Sequence, residues 1–297
     1  MYIFVLCIGY AGITPFYWQI LLYVCKMNRI FENLKLPLLA ILLFFLFQVV
    51  TSFSVILLSA VAEGEGLLDS FSSNSINSST MGIASLLTNI LIAVSCFFLF
   101  KRNCYKGKTC SSRPASLLQN MLAFAACVLG AVALDFLSEL MSIPNIVEDQ
   151  MIDMCRTPWG IIAIAVGAPL GEEIMFRWGI MGHMLRRNGG VVLSIVASSL
   201  LFGVAHLNPA QVFFATAMGV MLGILYWRSG SLFLPLVLHA LNNSIACLQV
   251  WILGDKIKEF SLVETVGGNG IAWCMVVACS ILCVSVLGWY VKENVKD

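Results

Sequence analysis

The run Trp159–Leu185 is apolar and long enough to cross a bilayer, yet Gly171-Glu172-Glu173-Ile174-Met175-Phe176-Arg177 sets three ionisable residues in its middle. A charge at that depth costs roughly 2.5–3.5 kcal/mol on insertion scales, so three independent charges cost on the order of 9 kcal/mol. One guanidinium offsets part of this by pairing with a carboxylate, but it cannot neutralise two. The segment therefore suits the inside of a helical assembly, and the carboxylate left over points to chemistry.

The rest of the chain supplies that assembly. Of its residues 60% are apolar and 11% are charged, against about 25% charged in soluble domains. Windows near the ~20 residues needed to cross the hydrocarbon fall at 3–25, 37–61, 82–100, 115–140, 159–185, 191–206, 210–227, 231–253 and 270–291. The predicted fold is thus all-α, a polytopic membrane bundle of about nine transmembrane helices. The first window lacks a basic leader and a small-residue cleavage site, so it reads as a retained helix.

Charge along the chain assigns an orientation. Lys26, Arg29 and Lys35, the basic loop 101–114, Arg186, Arg187, Arg228, Lys292 and Lys296 hold 13 of the 17 basic residues on one side. The opposite loops hold nine acids, among them Glu148, Asp149, Asp153 and Asp255, and three basic residues. By the positive-inside rule the amino terminus is outside and the carboxyl terminus cytoplasmic. Because the two signs nearly cancel, nothing in the net charge indicates a nucleic-acid partner. The 11 cysteines lie mostly inside spans and read as small hydrophobes, without a C-x-x-C pair. Asp135 and Glu139 read as interfacial, solvated acids, and His183 reads as interfacial beside Arg186 and Arg187.

Helical spacing divides the labour of the central charges. Glu173 and Arg177, four apart, share a face, whereas Glu172 points elsewhere and has Met175 and Phe176 at i+3 and i+4. Glu173–Arg177 reads as a structural pair, and Glu172 as a carboxylate free for water or a ligand. Two of the three histidines lie inside spans. His206 follows Phe202 at i+4, and Asn243 follows His239 at i+4, which puts an imidazole and a carboxamide on one face. Gly219-x-x-x-Gly223 permits close helix approach.

Glu172-Glu173-x-x-x-Arg177, Phe202-x-x-x-His206 and His239-x-x-x-Asn243, in this order on separate spans, resemble the CAAX prenyl protease and bacteriocin-processing (Abi) family of intramembrane proteases. The resemblance covers roughly residues 158–250 and divides the chain into three parts. Residues 1–157 are amino-terminal transmembrane helices without a motif, 158–253 the protease-like core, and 254–297 an external loop with the last helix. It implies a water-filled site open to the cytoplasmic half of the bilayer that hydrolyses peptide bonds. Glu172 matches the catalytic glutamate and His206 the histidine that helps it activate water. His239 and Asn243 match the oxyanion stabilisers, and Glu173 and Arg177 the structural pair.

The expected function is therefore an intramembrane endopeptidase of the glutamate type, cutting a peptide or a membrane-associated protein in a bacterial plasma membrane. A zinc enzyme is the metallo alternative, with Glu172, His206 and His239 as a His₂Glu set. Metal-free hydrolysis is favoured because no H-E-x-x-H occurs and Arg177 adds positive charge. From other classes, a catalytically idle scaffold or bacteriocin-immunity protein and a proton-coupled transporter are the rivals. Transport is disfavoured because no inverted repeat is found and the polar residues cluster in one place.

Overall fold

The computed structural model describes residues 15–63, 77–101, 115–187 and 189–292, and no strand occurs among them. Helices dominate because a backbone in hydrocarbon must satisfy its own N–H and C=O groups. In chain order these are α1 Pro15–Glu63, α2 Ser78–Phe100, α3 Leu117–Leu140, the short α4 Glu148–Cys155 and α5 over Pro158–Arg186. They continue with α6 Val191–Val204, α7 Pro209–Ser229, α8 Phe233–Leu253, the one-turn α9 Leu262–Thr265 and α10 Asn269–Lys292.

Seven helices among the described residues are long and apolar enough to cross a membrane. The count differs from the expected nine at two places. Residues 1–14 of the first expected span lie outside the described residues, and α1 runs without a break through 26–36, where a basic loop was expected. The sixth expected span is α6, with 14 residues. At 1.5 Å per residue it is ~21 Å long, short of the ~30 Å hydrocarbon core. The loop cysteines Cys104 and Cys110 lie outside the described residues.

Helices α1 and α2 pair, α6 and α7 form a hairpin, and α3 lies along α10. Helix α5 runs among α2, α6, α7 and α8. Phe100, Met175, Ile180, Leu222 and Leu225 are essentially inaccessible at the centre. Outward, Leu42, Phe98, Leu118, Val192 and Val284 are each at least 66% exposed. Such an apolar exterior suits lipid. This is a membrane protein.

Three polar residues expected near the surface are built in instead. His183 is fully buried, its ring 5.7 Å from that of Phe100. Arg228 is 2% exposed and donates from Nε to the Tyr290 carbonyl at 2.8 Å. Glu139 accepts from Ser261 Oγ and from the Leu262 and Val263 N–H groups. It thereby binds the free donors at the start of α9, a task for which an acid is well suited. The same end of the bundle carries ion pairs Arg156–Asp255 and Lys258–Asp149. It also holds a buried contact of 3.1 Å between Cys155 Sγ and Cys247 Sγ, joining α4 to α8.

Candidate active site

Helix α5 is widened where the acidic pair sits. Thr157 caps its start by accepting from the Gly160 N–H at 3.1 Å, and Pro158 occupies the first turn. Residues Ala163–Gly167 then form a π turn, in which the Ala168 N–H bonds Ala163 O, five residues back. Ile164 O loses its usual donor, and the next residue that could serve is Pro169, which has no N–H. A second π stretch spans Ile174–Met181. Glu172 and Glu173 fall on the short α segment Ala168–Glu173 between the two. Such local widening is frequent at functional sites.

The carbonyl freed at Ile164 is satisfied from another helix. Asn243 Nδ2 donates to it at 2.9 Å. One of the two carboxamide protons is thus committed to holding α8 on the bulge of α5, while Asn242 Nδ2 donates to Asn243 Oδ1 at 3.4 Å. Asn243→Ala is therefore expected to destabilise the protein by about 1–3 kcal/mol by leaving a buried carbonyl unpaired. It is also expected to lower turnover, and thermal unfolding in detergent measured beside turnover separates the two effects.

Glu173 and Arg177 form the expected ion pair, Oε1 to Nη1 at 3.2 Å, with both side chains 1% exposed. Glu173 has a second partner that the spacing did not reveal. His239 Nδ1 donates to the same Oε1 at 3.0 Å. The other ring nitrogen, Nε2, lies 3.7 Å from Glu172 Oε2, so the imidazole stands between the two carboxylates. Glu172 is thus less isolated than expected, although its Oε2 is buried without a hydrogen-bond partner among the described residues.

Phe202 gathers the cluster. The Arg177 guanidinium lies over its ring at 4.4 Å, a favourable cation–π distance. The rings of Phe176, His206 and His239 lie 5.2, 5.0 and 5.6 Å from it. Gly219 lets α7 come this close: a Cβ there would sit 3.0 Å from Ser199 Cβ and 3.2 Å from Phe202 Cδ1. Its carbonyl accepts from Arg177 Nη2 at 3.4 Å.

His206 follows α6 and donates from Nδ1 to Phe202 O at 2.8 Å, because a carbonyl can only accept. In the neutral ring this leaves Nε2 with its lone pair. The turn after it is pinned by fully buried Asn208, which accepts from the Ile146 N–H at 3.0 Å and donates to Asn145 Oδ1 at 2.8 Å. Sequence reasoning missed Asn208, although an Asn before Pro209 is a turn signal.

Glu172, His206, His239 and Asn243 all line one cavity of about 650 Å³. Asn89, which also lines it, packs against Gly171, where a Cβ would lie 2.5 Å from Asn89 Oδ1. The donors needed for the alternative zinc site are not gathered: no three His, Cys, Asp or Glu side chains among the described residues form a metal-binding group.

From Glu172 the cavity reaches Asn145, Val147 and Gln150, at the end of the bundle that carries the acidic loops. The charge pattern places that end outside, whereas the family resemblance implied an opening toward the cytoplasm. The two expectations exclude each other.

Comparison with known proteins places the same segment. Residues 155–245 match the family model described as type II CAAX prenyl endopeptidase Rce1-like. The candidate membrane peptidase YdiL of Bacillus subtilis (strain 168) is 29% identical over 92 residues, 31% of this chain and 37% of that protein. The membrane-embedded CAAX protease MroQ of Staphylococcus aureus (strain USA300) is 28% identical over 121 residues, 39% of this chain and 49% of that protein. The chain thus matches less than half the length of either relative, and no solved structure matches it. The segment that carries Glu172, His206, His239 and Asn243, from the end of α4 through the middle of α8, is thus the part of the chain that is similar to the Rce1-like type II CAAX prenyl endopeptidases.

Proposed function

We propose that this chain is an intramembrane endopeptidase of a bacterial plasma membrane that hydrolyses a peptide bond without a metal. The observation that carries the reading is Glu172, whose buried Oε2 lacks a hydrogen-bond partner among the described residues, in a cavity shared with two histidines and a carboxamide. A water held at this oxygen gives its proton to Glu172 as it attacks the scissile carbonyl carbon, and Glu172 then passes that proton to the departing amine as the C–N bond breaks. His206 orients that water through Nε2. His239, gripped at Nδ1 by Glu173, turns Nε2 to the Glu172 side. In the form protonated on both nitrogens, it and the second Asn243 N–H stabilise the oxyanion. Arg177 holds Glu173 in place through their ion pair.

The test is hydrolysis in ¹⁸O-labelled water. Purified protein incubated with a peptide library should produce new carboxyl termini carrying the heavy oxygen, at an equal rate with and without a strong chelator. Cleavage that stops in chelator and returns with zinc would replace this mechanism with the metallo one. Absence of cleavage would leave a binding protein.

For orientation, the charge pattern is the better guide. The sequence assigns thirteen of the 17 basic residues to the opposite side, and two of the three it assigns to the cavity side, Arg156 and Lys258, are paired with acids. The site then opens to the outside, and its substrates are peptides exposed on that face. Gln150→Cys, on the exposed rim, should react with a membrane-impermeant maleimide in sealed cells above the parent protein's background. Arg187→Cys, at the opposite end, should react only after permeabilisation. The reverse pattern would turn the site to the cytoplasm.

A further inference from the structure

Helix α3 carries two acids within its span, and only one of them has a structural task. Glu139 binds the start of α9, as described above. Asp135, one turn earlier, lines the same cavity as Glu172 and has no hydrogen bond or ion pair among the described residues. It is exposed within that cavity. An ionisable residue inside a membrane span that is not consumed by packing marks a pathway or a binding site, because its insertion cost is otherwise unreturned.

The cavity makes this position electrostatically one-sided. Asp135 and Glu172 are the carboxylates among its described lining residues, and no Lys or Arg is among those. Apolar side chains such as Phe44, Val55 and Phe214 form much of the remaining wall. A low-dielectric wall focuses the field of the acids into the enclosed space. Ser138, at i+3 from Asp135, lines the cavity as well, and its Oγ is buried without a hydrogen-bond partner among the described residues. An acceptor carboxylate beside a hydroxyl able to accept suits a group that brings several donors and a positive charge.

We propose that Asp135 and Ser138 form a cation subsite that recognises a lysine or arginine side chain, or the free amino terminus, of the peptide. The proposal rests on the peptidase reading for its biological meaning but not for its test. Since Arg177 is spent on Glu173 and Phe202, the substrate supplies the missing positive charge. The cation at Asp135 then positions the chain across the cavity relative to Glu172. Helices α1, α2 and α3, which carry no motif, contribute residues to the wall of this cavity.

The experiment measures binding and cleavage separately. Glu172→Gln protein in nanodiscs is titrated with fluorescent peptides that differ at one position, lysine against norleucine, each with a free or an acetylated amino terminus. The cationic peptide should bind about tenfold tighter, and Asp135→Asn in the same background should erase the difference. Preference that follows the lysine assigns a side-chain cation, and preference that disappears on acetylation assigns the amino terminus. Equal affinity of all four peptides for protein that retains Asp135 overturns the subsite, a result that does not depend on how any variant at 135 folds. So does a preference unchanged by Asp135→Asn. Protein that retains Glu172 is assayed for cleavage of the same peptides. Charge-selective binding without cleavage leaves the subsite standing and removes the peptidase reading, whereas cleavage without charge selectivity does the reverse.

Discussion

Glu172→Gln should abolish peptide hydrolysis, a loss of about 10²–10⁴-fold for a general base, while the protein accumulates and melts as the parent does. The substitution keeps the shape of the side chain and an oxygen facing His239 Nε2, 3.7 Å from the present carboxylate. It removes only the capacity to take a proton. The fold should not suffer, because Glu172 Oε2 makes no hydrogen bond among the described residues. Rates are best followed by mass spectrometry of a cleaved peptide, and unfolding by a thiol-reactive dye in detergent. Cleavage within a few fold of the parent would show that another group activates the water. His206 would be the next residue to test.

Arg177→Ala is expected to have the largest effect on stability. The guanidinium is 1% exposed, pairs with an equally buried Glu173, covers the Phe202 ring and bonds the Gly219 carbonyl. Its loss leaves a buried carboxylate without its counter-charge, which typically costs about 3–5 kcal/mol. His239 shares the same oxygen of Glu173, so the imidazole loses its anchor as well, and activity should fall with stability. The double variant Arg177→Met, Glu173→Gln removes both charges and should recover much of the stability without the activity. If Arg177→Ala melted at the parent's temperature, the pair would have no structural role.

These outcomes separate what one dimension of sequence can encode from what it cannot. The pairing of Glu173 with Arg177 was legible because it is local: four residues on one helix face each other whatever surrounds them. The grouping of Glu172, His206, His239 and Asn243 around one cavity was expected only through the resemblance and the polarity of otherwise apolar spans. The place of His239 between two carboxylates was not legible, since it depends on how α8 rotates against α5. Neither was the role of Asn243 at Ile164, although Pro169 inside a span hinted that some carbonyl upstream would need a partner. Asp135 and Glu139 look alike in sequence, one turn apart on an amphipathic end. What they face, a cavity or the start of α9, is decided by elements more than a hundred residues away in the case of Glu139. The basic stretch 26–36 read as a loop on charge alone, yet it continues as helix, because Lys and Arg are good helix formers.

The bond between Asn243 and Ile164 also bears on how the protein is made. Its partners are 79 residues apart, and synthesis delivers the amino-terminal one first. When α5 enters the bilayer it carries an incomplete backbone at Ile164 and two adjacent acids, with Arg177 as its own cation. The amide that completes the turn and the imidazole that separates the acids both arrive with α8. The nascent chain therefore holds Glu172 well before the side chains that surround it in the folded protein. On the proposed mechanism, hydrolytic competence is acquired at a late step of insertion, and a ribosome-released fragment ending before Phe233 should be inert.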